Sequence, residues 1–169
     1  VTFNVADSVV EVAGAPADAA KAGTVTVTGT ATVTQAKTVA GLANLTGGYQ
    51  VSGASADLTD ATKITMSDLA KASKVTATDP ATVAQANALL AVAAIAKDAT
   101  SGKPLLSIAD TAKAMAGANA ATLDSIHTAN TVTINSYVAA LTAAEATSLA
   151  AVDAASTKLS STSTSVKVS

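Results

Sequence analysis

The 169-residue chain has no cysteine, no tryptophan and no arginine, and only one histidine. Without cysteine there is no disulfide framework and no thiolate chemistry, so stability must come from packing. Without arginine the bidentate guanidinium contacts that recognise phosphate are missing. The ten basic residues are all lysine, against twelve acidic ones, so no basic patch for nucleic acid is expected. Aromatic residues are only 2 %, namely Phe3, Tyr49 and Tyr137, which leaves few platforms for stacking on sugar rings. The longest apolar run, Ala88 to Ala96, is nine residues where a membrane span needs about 20. No membrane insertion and no signal peptide are expected within the chain. It begins at Val1 rather than methionine, which reads as a processed product or an excised segment.

What the chain has in quantity is alanine, 43 residues, and threonine, 26. Such side chains fill only a thin core, one that suits closely apposed helices and sheet. A short pattern recurs: two apolar residues flanking a polar one, a turn or capping residue, then an alanine-rich stretch. Its copies begin at Phe3, Val25, Tyr49, Val75, Leu106 and Val132, and a closing copy begins at Val166, so the period is about 25 residues with later insertions. Residues 25–36 also match residues 75–86, which points to a genetic unit of two strand–helix pairs.

Alternation of Val, Ile and Thr with polar residues predicts half-buried strands. Helix starts are predicted after them: Asp79 as N-cap with Pro80 at the first helical position and a helix through Ala81–Lys97, then Asp110 and Ser136 in the same role. Strands that alternate with helices must lie parallel. Side-by-side repetition predicts an α/β solenoid: one array over residues 1–169, a parallel sheet with one face in water and alanine-rich helices on the other. A doubly wound sheet is the rival, but its strands would read as unbroken apolar runs. Asn4, Thr26, Gln50, Thr76, Ser107 and Thr133 are placed on the exposed face, as is Lys167. They are the candidates for binding a glycan or a protein.

The segments Val75–Asp79 with Ala81–Ala86, and Leu106–Ala112, resemble repeats of very large secreted surface proteins of cyanobacteria and proteobacteria. That resemblance implies an adhesin-like or cell-envelope component, extracellular or on the cell surface.

No catalytic or transition-metal site is expected, because His127 has no second histidine or cysteine to join, and Gly102-Lys103-Pro104 lacks the rest of a phosphate loop. The ten aspartates are dispersed and several fall where helices need caps. No cofactor is expected, with calcium the one left open. Asn44-Leu45-Thr46 fits the N-glycosylation pattern, and the serine- and threonine-rich end reads as an extended connection. The expected function is a non-catalytic segment of a surface layer, filament or long adhesin. Its alternative is a glycan- or protein-binding module on the polar face. An ice-binding surface is disfavoured because the threonine array is broken at Gln50, Ser52, Ser107 and Ala109. Strand edges at Phe3 and Val5, and at Val166 and Val168, predict end-to-end contact with itself or neighbouring repeats.

Overall fold

The computed structural model describes residues 2–126, 130–136, 141–155 and 159–161. The chain divides into two compact units, Val1–Thr78 with Ala91–Ala96, and Asp79–Leu90 with Lys97–Ser169. Both are mixed α/β, with small parallel sheets.

The first unit contains β1 (Asn4–Ser8), α1 (Val9–Gly14), α2 (Pro16–Ala19), β2 (Thr24–Thr28), β3 (Thr30–Ala31), α3 (Val33–Ala40), β4 (Gln50–Gly53), α4 (Ser55–Thr59), α5 (Met66–Leu69) and β5 (Lys74–Ala77). β1 and β2 are parallel, with Val5 beside Val25, and a single bridge adds Leu45 next to Val25. β3, β4 and β5 form a second parallel sheet, with Val51 beside Val75 and a bridge to Ile95. Between β2 and β3, Gly29 takes φ +83°, a conformation that costs glycine nothing and that lets one threonine-rich run serve two sheets. Val25, Val51 and Val75 are at most 1 % exposed and line the core with Ala36, Val39, Leu58 and Leu69.

The second unit contains α6 (Val83–Leu90), β6 (Ile108–Thr111), α7 (Ala112–Ala116), α8 (Ala120–Ser125), β7 (Val132–Ser136), α9 (Ala143–Ala155) and β8 (Leu159–Ser161). β6, β7 and β8 are parallel, with Ile108 beside Val132 and Val132 beside Leu159, and Ala81 bridges to Ile108.

Two kinds of half-unit alternate along the chain. Short-helix halves carry a strand and two helices of at most six residues: β1–α1–α2, β4–α4–α5 and β6–α7–α8. Long-helix halves carry α3, α6 or α9, of 8, 8 and 13 residues. All three long helices start with the same device. Thr32 Oγ1 accepts the Gln35 N–H at 3.4 Å while Gln35 Oε1 accepts the Thr32 N–H at 2.9 Å. Thr82 and Gln85 repeat the reciprocal pair at 3.3 and 2.9 Å, and Thr142 and Glu145 repeat it again at the same distances. Each box satisfies two backbone donors that a helix start would otherwise leave open.

These boxes correct the expected caps. α6 is capped by Thr82 and begins at Val83, so Asp79 and Pro80 precede it. α7 is capped by Thr111, and Asp110 belongs to β6. Ser136 ends β7, and the helix start expected after it, at residues 137–140, lies outside the described residues. The expected helix Ala81–Lys97 is also shorter, because the chain beyond Leu90 turns back to the ladder. Val75 donates its N–H to Ala94 O and Ala96 donates to Val75 O, both at 2.7 Å, and Val92 and Ile95 are buried. Two ladder bonds and two buried side chains outweigh alanine's helix preference of a few tenths of a kcal/mol per residue.

The strands lie where alternation put them, but not as one sheet and not in the expected alignment. Phe3, Tyr49 and Leu106 stand one step ahead of the shared core line, whose members are Val5, Val25, Val51, Val75, Ile108 and Val132. Pairing sets Val5, Val51 and Ile108 opposite Val25, Val75 and Val132, while of the large residues before them Tyr49 and Leu106 are buried and Phe3 is half exposed. The closing strand expected at Val166 and Val168 lies outside the described residues, as does Lys167.

Candidate functional site

Register decides what the six polar candidates can form together. Asn4 lies beside Thr24, Thr26 beside Ala6, Gln50 beside Lys74, Thr76 beside Ser52, and Thr133 beside Ala109. They share strand parity with one another inside each sheet, yet neighbouring copies are staggered by two residues and divided among three sheets. Asn4, Thr26 and Gln50 are exposed, whereas Thr76, Ser107 and Thr133 are half-buried. Several hydroxyls on these strands are engaged in the fold. The Thr26 and Thr46 hydroxyls lie 3.1 Å apart, Thr46 Oγ1 also donates to Val25 O, and Ser107 Oγ accepts from Asn130 Nδ2 at 3.3 Å. These bonds tie Thr26 and Ser107 into the ladder.

The sequence pattern missed a second feature, at the first strand. β1 pairs with β2 on one side, and beside it runs a groove of about 230 Å³ lined by Phe3, Val5, Val12, Ala15 and Ala19. Asp7, Glu11 and Asp18 add an acidic margin. Phe3 is 49 % exposed, while Tyr49 and Leu106, which hold the same place in the later short-helix halves, are 2 % and 1 % exposed. Val5 is half-buried. The expected apolar edge at Phe3 and Val5 is therefore one wall of a groove that also takes in α1 and α2.

The aspartates divide among local tasks. Asp60 Oδ1 accepts the Thr62 hydroxyl at 2.7 Å and the Thr62 N–H at 2.9 Å, which hold its carboxyl below the usual range. Asp68 closes a box with Thr65, Asp98 Oδ1 accepts two N–H groups in the turn that ends at Lys103, and Asp18 pairs with Lys21 at 2.8 Å. That hydrogen bond with Lys21, and the attraction of its charge, lowers the Asp18 pKa. Among the described residues no three or more His, Asp or Glu side chains gather where they could hold a metal ion. His127 lies outside the described residues.

Two further side chains take structural roles. Burial pushes the Tyr49 phenol up to about 12, and its hydroxyl donates to Asp68 O at 2.6 Å, tying β4 to α5. Asn44 Nδ2 donates to Ala19 O at 3.0 Å and Ala22 O at 2.7 Å. The nitrogen that glycosylation would modify thus holds the carbonyls at the end of α2, so Asn44-Leu45-Thr46 is a structural tie in the folded chain.

No family model, no curated protein and no solved structure matches this chain. No helix among the described residues is long and apolar enough to cross a membrane.

Proposed function

We propose that this chain is a non-catalytic structural segment of an extracellular surface protein, a strand–helix solenoid of the kind found in surface layers, filaments and long adhesins. The observation that carries the reading is the recurrence of one building plan. A parallel strand, a Thr-x-x-Gln or Thr-x-x-Glu box and a long helix recur at Thr32, Thr82 and Thr142, separated by short-helix halves that share a strand register. A plan of this kind buries a continuous core only by adding neighbours, and its natural product is reach rather than a catalytic cleft. The resemblance of residues 75–86 and 106–112 to repeats of secreted bacterial surface proteins supports the location outside the cell. End-to-end contact with further copies follows from the same architecture.

A glycan- or protein-binding role for the polar sheet faces is the weaker reading, since Thr26 and Ser107 bond within the fold and, among the described residues, no aromatic platform accompanies the six candidates. Antibody raised against the chain should label intact, unpermeabilised source cells, and glycan arrays should return no selective ligand. Labelling that requires permeabilised cells would refute the surface assignment, and a selective glycan would replace the structural reading with the binding one.

A further inference from the structure

Each short-helix half offers a seat for the long helix of the half before it, and in two of the three that seat is filled. In the first unit α3 packs on β4 and α5. Its first residue, Val33, lies so close to Gly53 that a methyl group built on the glycine would stand 2.5 Å from Val33 Cγ2. In the second unit α6 packs on β6, and its first residue, Val83, donates its N–H to Asp110 Oδ2 at 2.9 Å. Gly53 and Asp110 hold one position, two residues beyond the buried strand residues Val51 and Ile108.

In the first short-helix half that position is Asp7, two residues beyond Val5. Asp7 Oδ1 accepts the Ser8 N–H at 2.7 Å, just as Asp110 Oδ1 accepts the Thr111 N–H at 2.7 Å. Ser8 caps α1 as Thr111 caps α7. The local geometry of the filled seat is thus reproduced, but here the groove beside Val5 is open and Phe3 is half exposed.

The matching helix is α9. It packs on α7 and α8 as α3 packs on α1. The rest of α3 is covered as well: Ala36 and Ala40, four and eight residues after its cap, are fully buried. On α9 the residues at those spacings are Ala146, half-buried, and Ala150, exposed. An alanine face suited to close approach is left partly uncovered, on a helix whose N-terminal amides attract a carboxylate.

We propose that α9 of one copy seats in the β1–α1–α2 groove of a second copy, with the Ala143 N–H donated to Asp7. The order of halves is in phase for this contact, because the long-helix halves of α3 and α6 are each followed by a short-helix half. The surfaces are different patches, so the contact is heterologous and propagates into a filament. This rests on the repeat reading above and names its partner surface.

The test uses the whole chain and two exposed alanines, Ala15 in the groove and Ala150 on α9. In sedimentation velocity across concentration, the wild type should form growing oligomers. Ala15→Glu and Ala150→Glu should each stay monomeric, while their equimolar mixture should form a 1:1 dimer and nothing larger. Asp7→Ala should weaken wild-type association about tenfold, the scale of one hydrogen bond to a charged acceptor. Unchanged circular dichroism melts at low concentration identify each variant as folded. A wild type that stays monomeric throughout, a mixture that does not dimerise, or association that both glutamate variants retain would overturn the proposal. None of these outcomes bears on the repeat plan, which a deletion of one repeat tests separately.

Discussion

Replacing Asp110 with alanine removes two hydrogen bonds to one carboxylate, and their settings differ. The bond from Thr111 N–H is exposed, so water replaces it at small cost. The bond from Val83 N–H is part-buried, at 2.9 Å, at the first position of α6. A hydrogen bond to a charged acceptor contributes about 1.5–3 kcal/mol, and the amide left behind has no cap of its own beyond the Thr82 box. Asp110→Ala should therefore cost about 1.5–3 kcal/mol, and Asp110→Asn, which keeps an acceptor, should cost roughly half as much. Asp7→Ala breaks only the exposed bond from Ser8 N–H in the isolated chain, and should cost under about 1 kcal/mol. With no tryptophan in the chain, far-ultraviolet circular dichroism is the probe, in urea titrations at concentrations where the protein is monomeric. Equal costs at positions 7 and 110 would refute the reasoning, because the two carboxylates then could not differ in holding a helix.

Thr32→Ala and Thr82→Ala should each lower stability by about 0.5–2 kcal/mol in the same titration, as loss of an N-cap does. Gly53→Ala should cost about 1–3 kcal/mol, since the added methyl meets the stiff β-branched side chain of Val33, and a crystal structure of the variant should show α3 displaced. The Glu145 carboxyl is held below its ordinary value of 4.5, first by the Thr142 N–H and then by Lys113. Its contribution is therefore present above that ordinary value and lost as pH falls through the lower folded one. Melting temperatures compared at pH 6 and pH 3 should drop further for the wild type than for Glu145→Gln, whose box is neutral like those of Gln35 and Gln85.

Strand positions were legible because β-branched residues that alternate with polar ones mark half-buried strands, as they do in β2 and β7. Their register was not, because Phe3 and Tyr49 are larger than Val5 and Val51, and Leu106 equals Ile108 in size, so all three look like core residues. Only cross-strand pairing places Val5, Val51 and Ile108 in the common row. The caps were misread for a related reason: Asp79-Pro80 is a strong local start signal, but Thr82 and Gln85, three residues apart, make two mutual bonds where an aspartate makes one. The spacing Thr32–Gln35, Thr82–Gln85 and Thr142–Glu145 was visible throughout. The bridges at Leu45, Ala81 and Ile95 involve single residues, too few to leave a pattern. The groove beside β1 leaves no mark in the sequence, since nothing around Asp7 distinguishes it as a helix seat.

The repeat plan itself is tested most directly by removing one full repeat, residues 24–73. The new junction joins Gly23 to Lys74, and the register of both ladders places Val75 where Val25 had been, so a short-helix half is again followed by a long-helix half. Small-angle scattering of the monomer and a urea melt give length and stability together. The proposed solenoid predicts a folded, cooperatively melting protein shortened by roughly 10 Å, two strand spacings of about 4.8 Å each. A deletion product that is unfolded, or folded with its longest dimension unchanged, would contradict it.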